Sequence, residues 1–256
     1  MTWPYPPNVW LFTAEELVNT PSVREGISVQ SETTLRAKGA SFLVAVGMQV
    51  RLPPHTLYVA ATLFHRFYVR FSLKRHHHYD VAATCIFLAS KVEETGRKIK
   101  DLVVACCRVA QKNDTLVVDE QTKEYWRWRD IILFTEELLL EATCFDLTVR
   151  SPYSPLVFLT RRLVPDESKR NALSKSAWAF INDSVRTELC LRFSSNLIAA
   201  AAFYFASRVC HVDIGSEWWS DLDLSIDNIK DACNIMADLY EPADKLGEQK
   251  YTRLTN

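Results

Sequence analysis

Glycine is scarce in this chain, with six in 256 residues. A turn-rich β sandwich or barrel needs glycine at many tight turns, so the scarcity favours helices. Neither sign of charge is in excess: 30 Lys and Arg face 31 Asp and Glu, a net charge of −1. No basic surplus recommends nucleic acid as the main partner. No uninterrupted apolar run reaches the roughly 18 residues of a membrane span. The opening MTWPYPPNVW lacks the basic start and apolar middle of a secretion signal. Also missing are CxxC and CxxH spacings. The seven cysteines (Cys85, Cys106, Cys107, Cys144, Cys190, Cys210, Cys233) are scattered and odd in number. They suggest neither a zinc site nor a disulfide framework, but small core residues of a reducing compartment, nuclear or cytosolic. No nucleophile–base arrangement can be assigned and no phosphate-binding loop is present. What remains is an ordinary globular composition, 48% hydrophobic and 24% charged, enough for one large domain or two smaller ones.

The most apolar stretch runs from Val81 to Glu94, VAATCIFLASKVEE. With no polar face, a helix there belongs inside a bundle, and small residues at Ala82, Ala83, Ala89 and Ser90 let neighbours approach. It ends in charges, Lys91, Glu93 and Glu94, followed by Gly96, which suits the position just past a helix end. Two carboxylates at a C-terminus oppose the helix dipole by roughly 0.3–1 kcal/mol each. Breaking a local rule at the end of the most buried helix is a functional signal, weighed against an ordinary solvated helix end.

Other helix-period patterns surround it. Met1 to Asn8 holds three prolines and reads as extended. A short helix is predicted within Val9 to Asn19, with Thr13 and Glu16 forming a capping box and Trp10 and Phe12 pinning it. A linker follows to about Ser31. Ser31 is predicted to cap a helix to Val50 with Leu35, Phe42, Leu43, Val46 and Val50 inward. The next runs from His55 to Phe71. After the central helix a fourth spans Lys98 to Gln111. A fifth spans Glu120 to Thr143, roughly 24 residues and about 36 Å.

The second half looks like a worn copy. Offset by 117 residues, Ile198 to Val209 (IAAAAFYFASRV) overlies Val81 to Val92 with five of twelve positions identical. A repeat this long signals domain duplication, not a solenoid. The copy carries Cys210 and His211 where the first has Glu93 and Glu94. The core is duplicated and the charged tip is not, as expected if the tip serves only the first domain.

These residues carry a family resemblance. Tandem five-helix repeats with ASKVEE closing the third helix resemble cyclins, most nearly the transcriptional K and T types. WLFTAEELVNTPS (Trp10 to Ser22) is similar to their W-x-F-x-x-x-x-L-x-x-x-P-S lead-in. FHRFY (Phe64 to Tyr68), the EETxxK that begins at Glu93, and AWAFINDS (Ala177 to Ser184) also match. The resemblance implies an all-α fold with a short N-terminal docking helix. It divides the chain into an extension (1–30), a first cyclin box that binds a kinase (31–150), a second box (151–241) and a tail (242–256). It implies a nuclear, non-catalytic activator of a transcriptional cyclin-dependent kinase that phosphorylates the RNA polymerase II C-terminal domain, supporting elongation and mRNA processing. No cofactor, metal or membrane is expected, nor direct nucleic-acid binding; a third regulatory subunit is left open. By the same resemblance Lys91 and Glu136 supply the charged kinase contacts. Glu136 is placed by counting back from CFDL (Cys144 to Leu147), similar to the family's TFDL. Leu88, Val92, Leu140, Phe145 and Leu147 are the apolar surround, and Glu94 the rim. Trp10 and Phe12 are the N-terminal docking residues.

Departures inform as well. Cell-cycle cyclins carry an apolar patch of the form MRAILxxW on the first helix. Here Leu35, Arg36, Ala37, Lys38, Gly39 and Phe42 stand there. Lys38 and Gly39 lack the branched side chains of such a groove, so RxL-type substrates are not expected. Arg36 matches the family arginine, with a structural task. His65 stands where cell-cycle cyclins have Asp. Alternatives are an L-, C- or H-type cyclin, in splicing, Mediator or general transcription, or a DNA-binding cyclin-fold factor of the transcription factor IIB type.

Three further signals are set aside. His76, His77 and His78 are consecutive on a loop and do not easily converge on one ion. Tyr125 to Arg129 interleaves aromatic and basic residues, but inside a helix, where core packing plus surface arginines is expected. Arg97, Lys98, Lys100, Arg108 and Lys112 form a basic strip, read as a solvated face.

Overall fold

The computed structural model describes residues 9–240 apart from residue 216. The extended segment expected over Met1 to Asn8 and the tail over 242–256 lie outside the described residues. Among the described residues every regular element is helical. The chain divides into two compact units, one of Phe12–Arg150 and one that groups residues 9–11 with residues 151–240.

The first unit holds α1 (Ala14–Leu17), α2 (Pro21–Arg24), α3 (Val29–Gln49), α4 (Pro54–Arg70), α5 (His78–Val92), α6 (Ile99–Gln111) and α7 (Lys123–Ala142). As its composition demands, α5 lies at the centre, packed against α3, α4, α6 and α7. Val81 to Ser90 is buried except for Phe87, which is half-buried. α4 is nearly as enclosed, buried continuously from Tyr58 to Tyr68. Gly39 makes the close crossing with α4 possible, because a Cβ there would overlap the Phe64 ring. Space for Phe64, not a docking groove, accounts for Gly39.

Several local expectations are corrected. The Thr13–Glu16 capping box is present, with Thr13 N donating to Glu16 Oε2 at 2.8 Å and Glu16 N to Thr13 Oγ1 at 3.3 Å. It caps only the four residues of α1. The expected linker contains α2, because the Thr20 side chain caps Pro21–Arg24 and proline suits a first helical turn. Ser28, not Ser31, caps α3, and the Ser31 amide is the donor to it at 3.1 Å. Leu35 and Val50 are only half-buried. The charged residues Glu32 and Arg36 instead reach the core, at 3% and 1% exposure. Their ion pair is 2.7 Å, Arg36 also donates to the His65 and Tyr68 carbonyls at 3.0 and 2.9 Å, and Thr20 Oγ1 donates to Glu32. A buried pair persists when its remaining hydrogen bonds are filled in this way. α7 has 20 residues, shorter than expected at both ends.

Glycine scarcity is felt at the helix ends. Gly96 is not the residue past α5. Glu94 takes that left-handed position, with φ 53°, and the Thr95 amide donates to the Ser90 carbonyl at 2.9 Å. Arg51 does the same past α3 with φ 55°.

The second unit holds α8 (Tyr153–Leu163), α9 (Glu167–Ser184), α10 (Leu189–Arg192), α11 (Ser195–Val209), a 3-10 turn (Ser220–Leu222) and α12 (Ile226–Tyr240). α11 packs against α8, α9 and α12 and buries Ala199 to Ala202 fully. It has 15 residues, as α5 has, and begins and ends 117 residues later in step. Ser90 donates to the Phe87 carbonyl at 2.8 Å, and Ser207 to the Tyr204 carbonyl at 2.7 Å. The copied register extends to hydrogen bonds.

Candidate functional site

α5 and α7 lie against each other, and their C-terminal ends bring together residues distant in sequence. Lys91 Nζ forms an ion pair with Glu136, and the ammonium sits 4.4 Å over the Phe87 ring. The Lys91 side chain is 45% exposed and that of Glu136 18%. So wet a pair contributes about 0–1 kcal/mol to stability. What it does is hold two long side chains in one orientation at the surface. The residues matched on opposite sides of a gap in sequence thus meet.

The other expected site residues fall into layers. Leu88 is 4% exposed and supports the surface from beneath instead of forming it. Val92, Leu140 and Leu147 are half-buried, Glu94 is exposed, and Phe145 is 73% exposed. The Phe145 presentation comes from the turn after α7. Cys144 and Phe145 both adopt left-handed backbone, φ 53° and 59°. The Cys144 amide donates to the Glu141 carbonyl and the Phe145 amide to the Leu140 carbonyl, each at 2.9 Å. Left-handed backbone costs an L-residue about 1–2 kcal/mol. An unburied phenylalanine forgoes about 1.5–3 kcal/mol more.

The loop after α5 is pinned down. His55 Nε2 lies 2.8 Å from Glu93 Oε2, which takes Glu93 into a local pair and leaves Glu94 exposed. Thr56 and Thr95 hydroxyls are 3.1 Å apart. Arg97 donates to the carbonyls of Val50, Arg51 and Thr95 at 2.8, 2.7 and 2.6 Å. Arg108 donates to the Leu116 carbonyl at 3.1 Å, and Lys100 meets Glu120 at 3.3 Å. Much of the supposed solvated strip is therefore committed to holding loops, which sequence alone did not reveal.

The N-terminal segment is tied on by Ser22, the last residue of the lead-in motif, and by Thr20 and Glu25, which the motif did not single out. Ser22 Oγ accepts from the Leu73 amide at 3.0 Å, Arg75 pairs with Glu25 at 2.6 Å, and Thr20 meets Glu32. Trp10 is buried at 5% exposure, and Phe12 is half-buried. His77 and His78 lie ring against ring, with centroids 4.3 Å apart, while His76 sits elsewhere. His76 meets Phe67 and Phe71 edge-on, His77 Nδ1 accepts from the Tyr79 amide at 3.3 Å, and burial pushes His78 down to about 4. In the aromatic-basic run Tyr125 and Trp128 are buried. Trp126 is exposed but donates Nε1 to the Glu120 carbonyl at 2.8 Å, with Arg129 over its ring. No group of three metal-ligating side chains occurs among the described residues, and no described helix is long and apolar enough to cross a membrane.

The family model for the cyclin N-terminal domain matches residues 9–148. This chain is a member of the cyclin family. Cyclin pch1 of Schizosaccharomyces pombe is 45% identical over 238 residues, covering 91% of this chain and 69% of that protein. Cyclin-T1-4 of Arabidopsis thaliana is 35% identical, covering 93% of this chain and 46% of the relative. Human Cyclin-K is 33% identical, covering 90% and 40%. The cyclin thus spans about half the length of its T- and K-type relatives, and its kinship is with the transcriptional branch. Its fold is similar to a chain in the crystal structure of the yeast RNA Pol II CTD kinase CTDK-1 complex, with a TM-score of 0.73, 21% identity and coverage of 90% and 72%. It is also similar to a chain of the CAK complex of Chaetomium thermophilum, with a TM-score of 0.70, 17% identity and coverage of 90% and 76%.

Proposed function

We propose that this cyclin is the regulatory, non-catalytic subunit of a transcriptional cyclin-dependent kinase, acting in the nucleus on the C-terminal repeats of RNA polymerase II in support of elongation and mRNA processing. The observation that carries the reading is the Lys91–Glu136 pair joining α5 to α7, together with an exposed Phe145 in the turn that ends α7. Kinase activity depends on the position of a regulatory helix whose carboxylate must reach the catalytic lysine. A rigid platform of α5 and α7 holds such a helix by burying Phe145, Val92, Leu140 and Leu147. Lys91, Glu136 and Glu94 set register and partner choice. Leu88 backs the platform. Sequence kinship with K- and T-type cyclins favours the polymerase repeats as substrate. In this reading residues 31–150 bind the kinase, residues 151–241 form the second box, and Trp10 and Phe12 belong to a docking extension. No cofactor is assigned, and failure with every kinase without a mobility shift on DNA would point to a missing third subunit.

The test is co-expression with each transcriptional kinase of the source organism, followed by pull-down and an assay on a polymerase-repeat peptide. One kinase co-purifies and gains activity. Reversing the pair with Lys91→Glu and Glu136→Lys abolishes that capture while circular dichroism keeps its helical signal. Unchanged capture would remove the interface assignment. Failure with every kinase, together with a salt-sensitive mobility shift on DNA, would favour the nucleic-acid-binding alternative.

A further inference from the structure

We infer that Arg66, a residue inside the core of the first unit, is the positioning residue for the turn that presents Phe145. The inference rests on the docking role proposed for Phe145. Arg66 lies on α4, the helix buried without a break from Tyr58 to Tyr68, and is itself 4% exposed. A guanidinium has five donors and no acceptor, and burying it is tolerated only against fixed acceptors. Here Nη1 points at two carbonyls of the segment after α7, Asp146 at 3.3 Å and Thr148 at 3.5 Å. These carbonyls flank Leu147 and directly follow the left-handed pair Cys144 and Phe145.

The near side of the turn is closed by its own backbone. The Phe145 amide reaches the Leu140 carbonyl at 2.9 Å, and the Asp146 amide the Thr143 carbonyl at 3.0 Å. On the far side the Leu147 amide donates to the Phe145 carbonyl at 3.2 Å and the Thr148 amide to Asp146 Oδ1 at 3.3 Å, and Arg66 lies beneath both. A bulky residue in left-handed backbone persists only where its surroundings over-determine it. A cation fixed in α4, whose charge favours both carbonyl dipoles, supplies that second constraint from 80 residues away. Without it, the turn keeps only its own short-range bonds, and the Phe145 ring is held less firmly on the platform.

The test uses the full chain with its co-purified kinase and four variants: Arg66→Met, Arg66→Lys, Phe145→Ala and Arg66→Met with Phe145→Ala. Affinity is read by biolayer interferometry beside a thermal melt of each cyclin alone. Phe145→Ala weakens binding by about tenfold or more, as expected of an aromatic anchor. Arg66→Met weakens it by a similar factor, Arg66→Lys restores part of the loss, and Arg66→Met adds nothing in the Phe145→Ala background. Additive losses, or a lower melting temperature with unchanged affinity, overturn the inference alone. Phe145→Ala with unchanged affinity overturns the docking reading and the inference with it. Should Arg66→Met not fold, hydrogen exchange on Arg66→Lys decides: faster exchange at Phe145 and Asp146 with α4 still protected supports the inference, and unchanged exchange overturns it.

Discussion

Glu94 and His211 stand 117 residues apart and occupy the same left-handed position past the same helix end, with φ of 53° and 52°. The residue after each closes the end alike: Thr95 donates to Ser90 and Val212 to Ser207, both at 2.9 Å. The two tips share a backbone, including its unfavourable dihedral, and differ in chemistry, a carboxylate in one and an imidazole in the other.

Replacing either residue with glycine separates backbone from chemistry. Glycine relieves a left-handed penalty of about 1–2 kcal/mol, offset by about 0.5–1 kcal/mol of added chain entropy. Glu94→Gly and His211→Gly are both expected to raise the melting temperature slightly. Only Glu94→Gly slows association with the kinase and flattens its salt dependence, because a rim charge acts on the on-rate. Equal effects of the two variants on association would count against Glu94 as a rim residue.

Arg36→Met leaves the Glu32 carboxylate buried without its cation, and should cost about 3–5 kcal/mol of stability. Urea unfolding monitored by circular dichroism measures it. A loss below about 1 kcal/mol would mean that the pair is no better than a surface ion pair.

Gly39→Ala drives a methyl into the Phe64 ring and is expected to destabilise by about 1–3 kcal/mol, the range for overpacking. Phe64→Leu in the same chain recovers part of the loss. Additive losses in a double-mutant cycle would show that the two sites do not share one constraint.

His78 predicts an acid sensitivity. Burial first, then the charges of His77 and Lys38, hold it down to about 4, while an unfolded histidine titrates near about 6.5. Between those values the unfolded chain binds more protons, so stability falls as pH is lowered from about 6.5 to about 4 and levels off below. Burial lowers His76 in the same direction. His78→Phe should flatten the dependence of the urea midpoint on pH over that window. An unchanged slope would assign the acid sensitivity elsewhere.

Periodicity alone located the long helices, because an apolar face must repeat every three to four residues to be buried. Val81 to Val92 was legible as the central helix from its lack of a polar side, and its copy at Ile198 to Val209 from alanines that neighbours require to be small. Lys91 and Glu136 were reached through motif and spacing, since cyclins place those residue types at set distances from ASKVEE and CFDL. What periodicity does not encode is who stands opposite. That Glu32 and Arg36 are buried together, that Arg97 spans the carbonyls of Val50 and Arg51, and that Arg66 lies under Asp146 depend on chain segments far apart in sequence. Nor does composition name the residue that takes the left-handed turn: Gly96 was the natural candidate, yet Glu94 holds it. Local pattern determined the helices and their inward faces. Long-range packing decided where the polar groups found partners, because a buried charge is tolerable only where the rest of the fold has already brought its acceptors.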